Sequence, residues 1–392
     1  MKIGIITLPL HTNYGGLLQN YALQQVIMQK GHSVETIDYG RWHSSQSYSF
    51  DLLLKSHLSS IKRYLFQCFL PQREVRSGYR PNEEELIIIR KNTNYFINKY
   101  LSLSKPIVTA RDFKDISNSK RYDAYIVGSD QCWRPVYNTL FIKERFLRFA
   151  KKQEGVKRIA YGVSFGTDKW EMDYSLTKEC SSLAKIFDVV TVREESGIEL
   201  CKNYLGVDST QVIDPTMLLD KEDYMQLVNE EHEPESPGNL FYYILDPTGD
   251  TKELINEVAD RTMLIPFKVM PNIQSKFLTH EDLSQNINDF VFPTVTSWLR
   301  AFADAEMVIV DSFHGMIFSI IFNKPFWVLG NNFRGNARFE SLLRHFGLED
   351  RMITYSNMSS VDWYKPIEWE RVNELRKKEK ERCIKILEDA LN

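Results

Sequence analysis

The stretch IVDSFHGMIFSIIFNKPFWVL, residues 309–329, sets one histidine, His314, between two strongly apolar runs. Its residue types predict a buried strand over 308–310, a turn at 311–313 and a helix that starts near His314, with Gly315 allowing a tight beginning. A helix N-terminus attracts anions through its free N–H groups and its dipole. An imidazole beside a bound anion can hold a proton and deliver it as a general acid. A histidine alone in such a place would equally cap or pack locally. The company changes the reading: GNNFRGNARFESLL, residues 330–343, brings Arg334 and Arg338 to another loop above the same sheet. Ser312, Gly315, Arg334 and Arg338 are therefore candidate contacts for an anionic donor.

Five more apolar runs end in polar residues. HTNYGGLLQNYALQ, residues 11–24, offers Gly15 and Gly16, which let backbone approach a ligand at a helix start, or simply meet the needs of a turn. Asn13 and Gln19 in this stretch are polar groups expected to face a crevice. YIVGSDQCWRP, residues 125–135, places Ser129, Asp130, Gln131 and Trp133 after a strand, an acid–amide–indole set suited to a carbohydrate. Ser129 and Asp130 could also cap a helix; Asp130 is in addition the second catalytic candidate. AYGVSFGTDKW ends a strand in Ser164, a further acceptor candidate. VVTVREESG ends one in Arg193, placed to grip carboxylate or phosphate with two parallel hydrogen bonds, or to pair with Glu194 or Glu195. IDPTMLL, residues 213–219, reads as a turn between two units, fixed by Asp214 and Pro215.

These pieces sit on a repeated alternation of short β-rich runs and helical periodicity, which argues for an α/β protein with parallel sheets covered on both faces. Strands are expected at Lys2–Thr7, Val34–Asp38, Ala124–Val127, Arg158–Val163, Val189–Val192 and Gln211–Ile213, and again at Leu240–Leu245, Leu264–Val269, Met307–Val310 and Phe326–Leu329. The predicted organisation is a Rossmann-like domain over 1–220, with an insertion at about 41–120 carrying one helix near Glu83–Tyr100, and a second Rossmann-like domain over 221–367. A charged helix over 368–392, with an apolar stripe, would pack back on the first. Two doubly wound domains meeting at the carboxyl ends of their strands form a cleft, where ligands bind in such sheets.

Composition sets limits. The 392 residues are 43% hydrophobic and 26% charged, with a formal charge of −3, so a packed core is expected and no overall field would attract nucleic acid. MKIGIITLPL reads as a first strand and not a signal peptide. The most apolar later run is broken by Asn323, Lys324 and Pro325 before it could span a bilayer. Five scattered cysteines without CxxC spacing point to reduced thiols in a cytoplasm, with neither a disulfide framework nor a metal site.

Taken together, NYGGLLQNYALQ, VGSDQCWRP, SFG, VREESG, DPTMLL and DSFHG…NKPFWVLGN resemble the polysaccharide pyruvyl transferase family, in family order from residue 1 to about 345. The resemblance implies a glycosyltransferase-B-like fold. It also implies transfer of the pyruvyl group of phosphoenolpyruvate, a donor substrate needing no cofactor, to a sugar of a surface or exopolysaccharide such as a capsule, or to its lipid-linked precursor. A lipid-linked acceptor would leave peripheral membrane association open. By the same resemblance His314 is the catalytic acid, and the arginine expected two places before it is Ser312 here. Two alternatives remain: a nucleotide-sugar glycosyltransferase on the same scaffold, and a catalytically silent glycan-binding relative.

Overall fold

A computed structural model of the protein describes residues 1–38, 81–107, 112, 115, 116, 118, 121–138, 141–273, 280–330 and 336–392. Most of the expected insertion, and Arg334, lie outside these residues.

The apolar runs of the first half become β1 (Lys2–Ile6), β2 (Ser33–Thr36), β3 (Ala124–Val127), β4 (Lys157–Val163), β5 (Val189–Val192) and β6 (Thr210–Gln211). They pair in parallel in the order β2-β1-β3-β4-β5-β6. The second half forms β7 (Leu240–Tyr243), β8 (Pro266–Phe267), β9 (Met307–Val310), β10 (Phe326–Leu329) and β11 (Met352–Ile353). These are parallel too, in the order β11-β10-β9-β7-β8. All four residues of β3, β9 and β10 are buried, as strands covered by helices on both faces must be. Burying each such large apolar side chain contributes about 1.5–3 kcal/mol.

Most strands lie within a residue or two of their expected bounds. The run over 264–269 shrinks to two residues, since Pro266 has no N–H to donate and β8 is confined to the sheet edge. The two-residue β11 carried no readable alternation and was not anticipated.

The helices that matter for the site are α1 (Tyr14–Gln29), α2 (Val295–Asp304), α3 (Phe313–Ile321) and α4 (Ala337–Phe346). The stretch near 83–100 is helical in two pieces, Glu83–Ile89 and Lys91–Tyr100, interrupted at Arg90. The last helix, α5 (Trp369–Leu391), buries Val372, Cys383, Leu387, Ala390 and Leu391. It lies on the first sheet: Arg382 donates to the Gln211 carbonyl at 2.9 Å and Lys157 donates to that of Ala390 at 3.3 Å.

Direct bonds join the halves beside the cleft. The Tyr14 hydroxyl donates to the Pro293 carbonyl at 2.9 Å, and the Glu195 N–H donates to the Ser341 hydroxyl at 3.1 Å. Among the described residues no helix is long and apolar enough to cross a membrane.

Candidate functional site

The carboxyl ends of β1 and β3 meet those of β7 and β9 around a cavity of about 360 Å³. Asn13, Gly15, Asp130 and Gln131 line it from the first half; Tyr243, Asp311, Ser312, His314 and Arg338 line it from the second.

Local chemistry fixes each wall. Asn13 caps α1, accepting from the Gly16 N–H at 3.2 Å, and its amide donates to Asp130 at 3.4 Å. Ser312 caps α3, its hydroxyl accepting from the Gly315 N–H at 2.9 Å. The Asp311 carboxylate accepts from the N–H groups of Leu245 and Asp246 at 2.7 and 2.9 Å, tying the end of β9 to that of β7. Asp130 itself has φ 71°, a left-handed backbone that aspartate tolerates better than most side chains.

His314 occupies the first turn of α3 and is 8% exposed. Its ring lies over Gly15: a Cβ there would stand 2.1 Å from the imidazole Cγ and Nδ1, so only glycine admits the histidine. Nε2 faces the Asp214 carboxylate at 3.6 Å, an ion-pair distance beyond a hydrogen bond.

Asp214 is fully buried at the end of the first sheet. One of its oxygens accepts from Arg193 at 2.7 Å and Ser129 at 3.0 Å; the other accepts from the Thr216 N–H and hydroxyl at 3.0 and 2.7 Å. Burial works against its charge, but the facing His314, the Arg193 guanidinium and the Thr216 N–H together hold its carboxyl well below the usual carboxylate range.

The two described candidate arginines differ. Arg193 lies behind the cavity wall with its side chain 1% exposed, paired to Asp214, 3.5 Å from Asp130 and 4.2 Å from the centre of the Phe313 ring. Burial disfavours its cation, yet Asp214, Asp130 and Glu194 outweigh that and raise its pKa. Arg338, in the first turn of α4, lines the cavity 5.6 Å from the same ring. Burial, reinforced by the charge of Arg193, pushes its pKa down to about 10.

Several expected contacts are placed elsewhere. Trp133 is not an open sugar platform: it is fully buried, stacked on Phe146 at 4.4 Å, and its indole donates to the Arg145 carbonyl. An indole with a stacking ring and a carbonyl within reach is more stable inside than at a rim. Gln19 donates to Thr7 at 2.8 Å, beneath the loop and away from the cavity. Ser129 serves Asp214, and Ser164 donates to Glu194 at 2.9 Å. Arg193, expected as a clamp in the cleft, has its charge committed to Asp214. Gly16 and Gly315 act through N–H groups that bond their own caps and do not line the cavity. Asp214, read from sequence as a turn residue, is the buried centre of the cluster; an acid directly after a strand was the available signal. Tyr137, Trp298 and Phe339, which also line the cavity, carried no such signal. Among the described residues no group of three or more His, Cys, Asp or Glu side chains could hold a metal ion.

Comparison with known proteins bears on the fold and the family. Arabidopsis thaliana UGT89C1, solved with UDP-L-rhamnose, is 8% identical over 98% of this chain and 98% of its own, with a TM-score of 0.51. The UDP-GlcNAc 2-epimerase from Neisseria meningitidis, bound to UDP-GlcNAc, is 10% identical over 100% and 99%, with a TM-score of 0.47. At these identities the likeness concerns the fold, which is the two-sheet α/β arrangement of the GT-B type. No curated protein matches the chain in sequence. The sequence pattern of the family described as polysaccharide pyruvyl transferase, however, matches residues 13–332, from the cap of α1 to beyond β10, and the chain belongs to that family.

Proposed function

We propose that the protein transfers the pyruvyl group of phosphoenolpyruvate to two hydroxyls of one sugar in a surface polysaccharide or its lipid-linked precursor, forming a ketal and releasing phosphate. The observation that carries this reading is His314 at the wall of an interdomain cavity that Arg338 also lines. The family supports a transferase.

The chemistry assigns work to each group. A proton from His314 adds to the methylene carbon of the donor, turning it into a methyl group and leaving a cationic centre at C2. One sugar hydroxyl attacks C2 and loses its proton. Phosphate then departs as the C2–O bond breaks, and the second hydroxyl adds to the regenerated cation. Of the two hydroxyl protons, one replaces that spent by His314 and the other leaves with phosphate. Asp130, at the cavity wall, is the carboxylate suited to take a hydroxyl proton. Arg338 is suited to the donor's carboxylate or phosphate, because an anion would offset the cost that burial imposes on its cation. Asn13, Gln131 and the half-exposed Tyr137 remain for the acceptor. Phosphoenolpyruvate as donor carries a cytoplasmic location with it.

The test is phosphate release from phosphoenolpyruvate with galactose- or mannose-type acceptors, in the wild type and in His314→Ala. The variant should fold and lose roughly 100- to 10,000-fold in turnover. Near-normal turnover in it would return the histidine to a packing role. Turnover of a nucleotide sugar alone would favour a glycosyltransferase, and glycan binding without release a silent relative.

A further inference from the structure

His314 and Asp214 come from opposite sheets, yet the imidazole Nε2 is turned inward, away from the cavity, to face a carboxylate that is completely buried. Nε2 has no hydrogen-bond partner at its present 3.6 Å separation. The other ring nitrogen, Nδ1, lies over Gly15, which lines the cavity. We infer that Asp214 is a positioning residue for His314: it keeps one proton on Nε2, so that Nδ1 is the nitrogen that gives a proton to the ligand and takes one back. This rests on the proposed role of His314 as the acid.

The surroundings suit Asp214 to that work. Thr216 holds one carboxylate oxygen with two hydrogen bonds, so the carboxylate does not rotate freely. Arg193 and Ser129 hold the other, on which Nε2 is aimed. A carboxylate accepts only, so the nitrogen facing it must carry hydrogen for the contact to be favourable. Other charged groups around the cluster are Arg193, paired with Asp214 and 3.5 Å from Asp130, and Asp130, Asp311 and Arg338, which line the cavity with His314. Among the described residues Asp214 is the carboxylate within ion-pair distance of Nε2. Asp214 keeps its negative charge throughout the neutral range, held there by its cationic and N–H neighbours against burial. The contact also crosses the gap between the halves, so the proton on Nε2 is governed by a residue that does not itself line the cavity.

The experiment reads the tautomer directly. The full chain is labelled with 15N-histidine, and His314→Gln identifies the His314 ring signals among those of the eight histidines. At a pH where that ring is neutral, the proton should sit on Nε2, and in Asp214→Asn the signals should shift toward a mixture of tautomers. A wild-type ring with its proton on Nδ1, or evenly shared, overturns the inference whatever the variants do. Turnover supplies the second arm: Asp214→Asn should lower kcat roughly 100-fold or more with little change in KM, and Asp214→Glu should recover part of it. Unchanged kcat in a folded Asp214→Asn overturns it as well. Should the tautomer be as stated while phosphoenolpyruvate is not consumed, the reaction assignment fails and the positioning role stands.

Discussion

Arg193 and Arg338 are the same residue type, both buried, and both lie against the ring of Phe313. Their pKa shifts differ in sign. The first sheet surrounds Arg193 with Asp214 and Asp130, so its charge is compensated within the protein and its pKa rises. On the side of the second sheet, burial and the neighbouring Arg193 lower the pKa of Arg338 to about 10. A cation compensated by buried carboxylates holds a structure together, whereas one whose charge burial disfavours at a cavity wall gains from an anion that enters. The difference separates the support from the contact surface more sharply than residue type could.

The largest expected effect tests the support. Arg193→Ala leaves Asp214 buried and poorly compensated, and should lower unfolding free energy by about 3–5 kcal/mol in urea denaturation. A donor affinity that collapses while stability stays put would instead make Arg193 a direct clamp. Next, Gly15→Ala places a Cβ 2.1 Å from the His314 ring and should push the imidazole aside. Turnover is expected to fall roughly 100-fold, since misplacement by about 1 Å has that cost, with the fold retained by circular dichroism. Wild-type turnover there would show that the ring is not where the reaction occurs.

Arg338→Ala should act on binding: donor affinity, measured by calorimetry, falls roughly 10- to 150-fold, about 1.5–3 kcal/mol for a hydrogen bond to a charged group. Melting temperature should change less than in Arg193→Ala. Equal losses of stability in Arg193→Ala and Arg338→Ala would erase the contrast.

The smallest effect is the pH dependence of stability. Asp214 has a folded pKa below its unfolded value, so its contribution is complete above the unfolded value of about 3.9 and is lost as pH falls through the folded one. Melting temperature should thus show no loss from this group between about pH 5 and 8. In Arg193→Met the folded pKa moves up toward the unfolded one, so the decline on acidification should be smaller and should end at a higher pH.

How much was legible in advance can be argued from single residues. His314 was recognisable because a polar imidazole stands, with Asp311 and Ser312, in the turn between two apolar runs. Asp130 followed from its place directly after β3, and it does line the cavity. Trp133, three positions on, had the same claim, and local sequence held nothing to show that Phe146 and the Arg145 carbonyl were waiting for it in the core. Arg193 failed in the same way, because its partner Asp214 is 21 residues away and looked like half of a turn.

The sequence by itself determined the alternation of strands and helices, the polar loops at the strands' carboxyl ends and the identity of the chemically able residues, because those depend on local periodicity and backbone preference. Only the tertiary structure decided which polar residue faces the cavity and which is sealed behind it. That choice turns on contacts between distant segments: Asp214 from one sheet aimed at His314 from the other, over a glycine whose missing side chain leaves the ring its room.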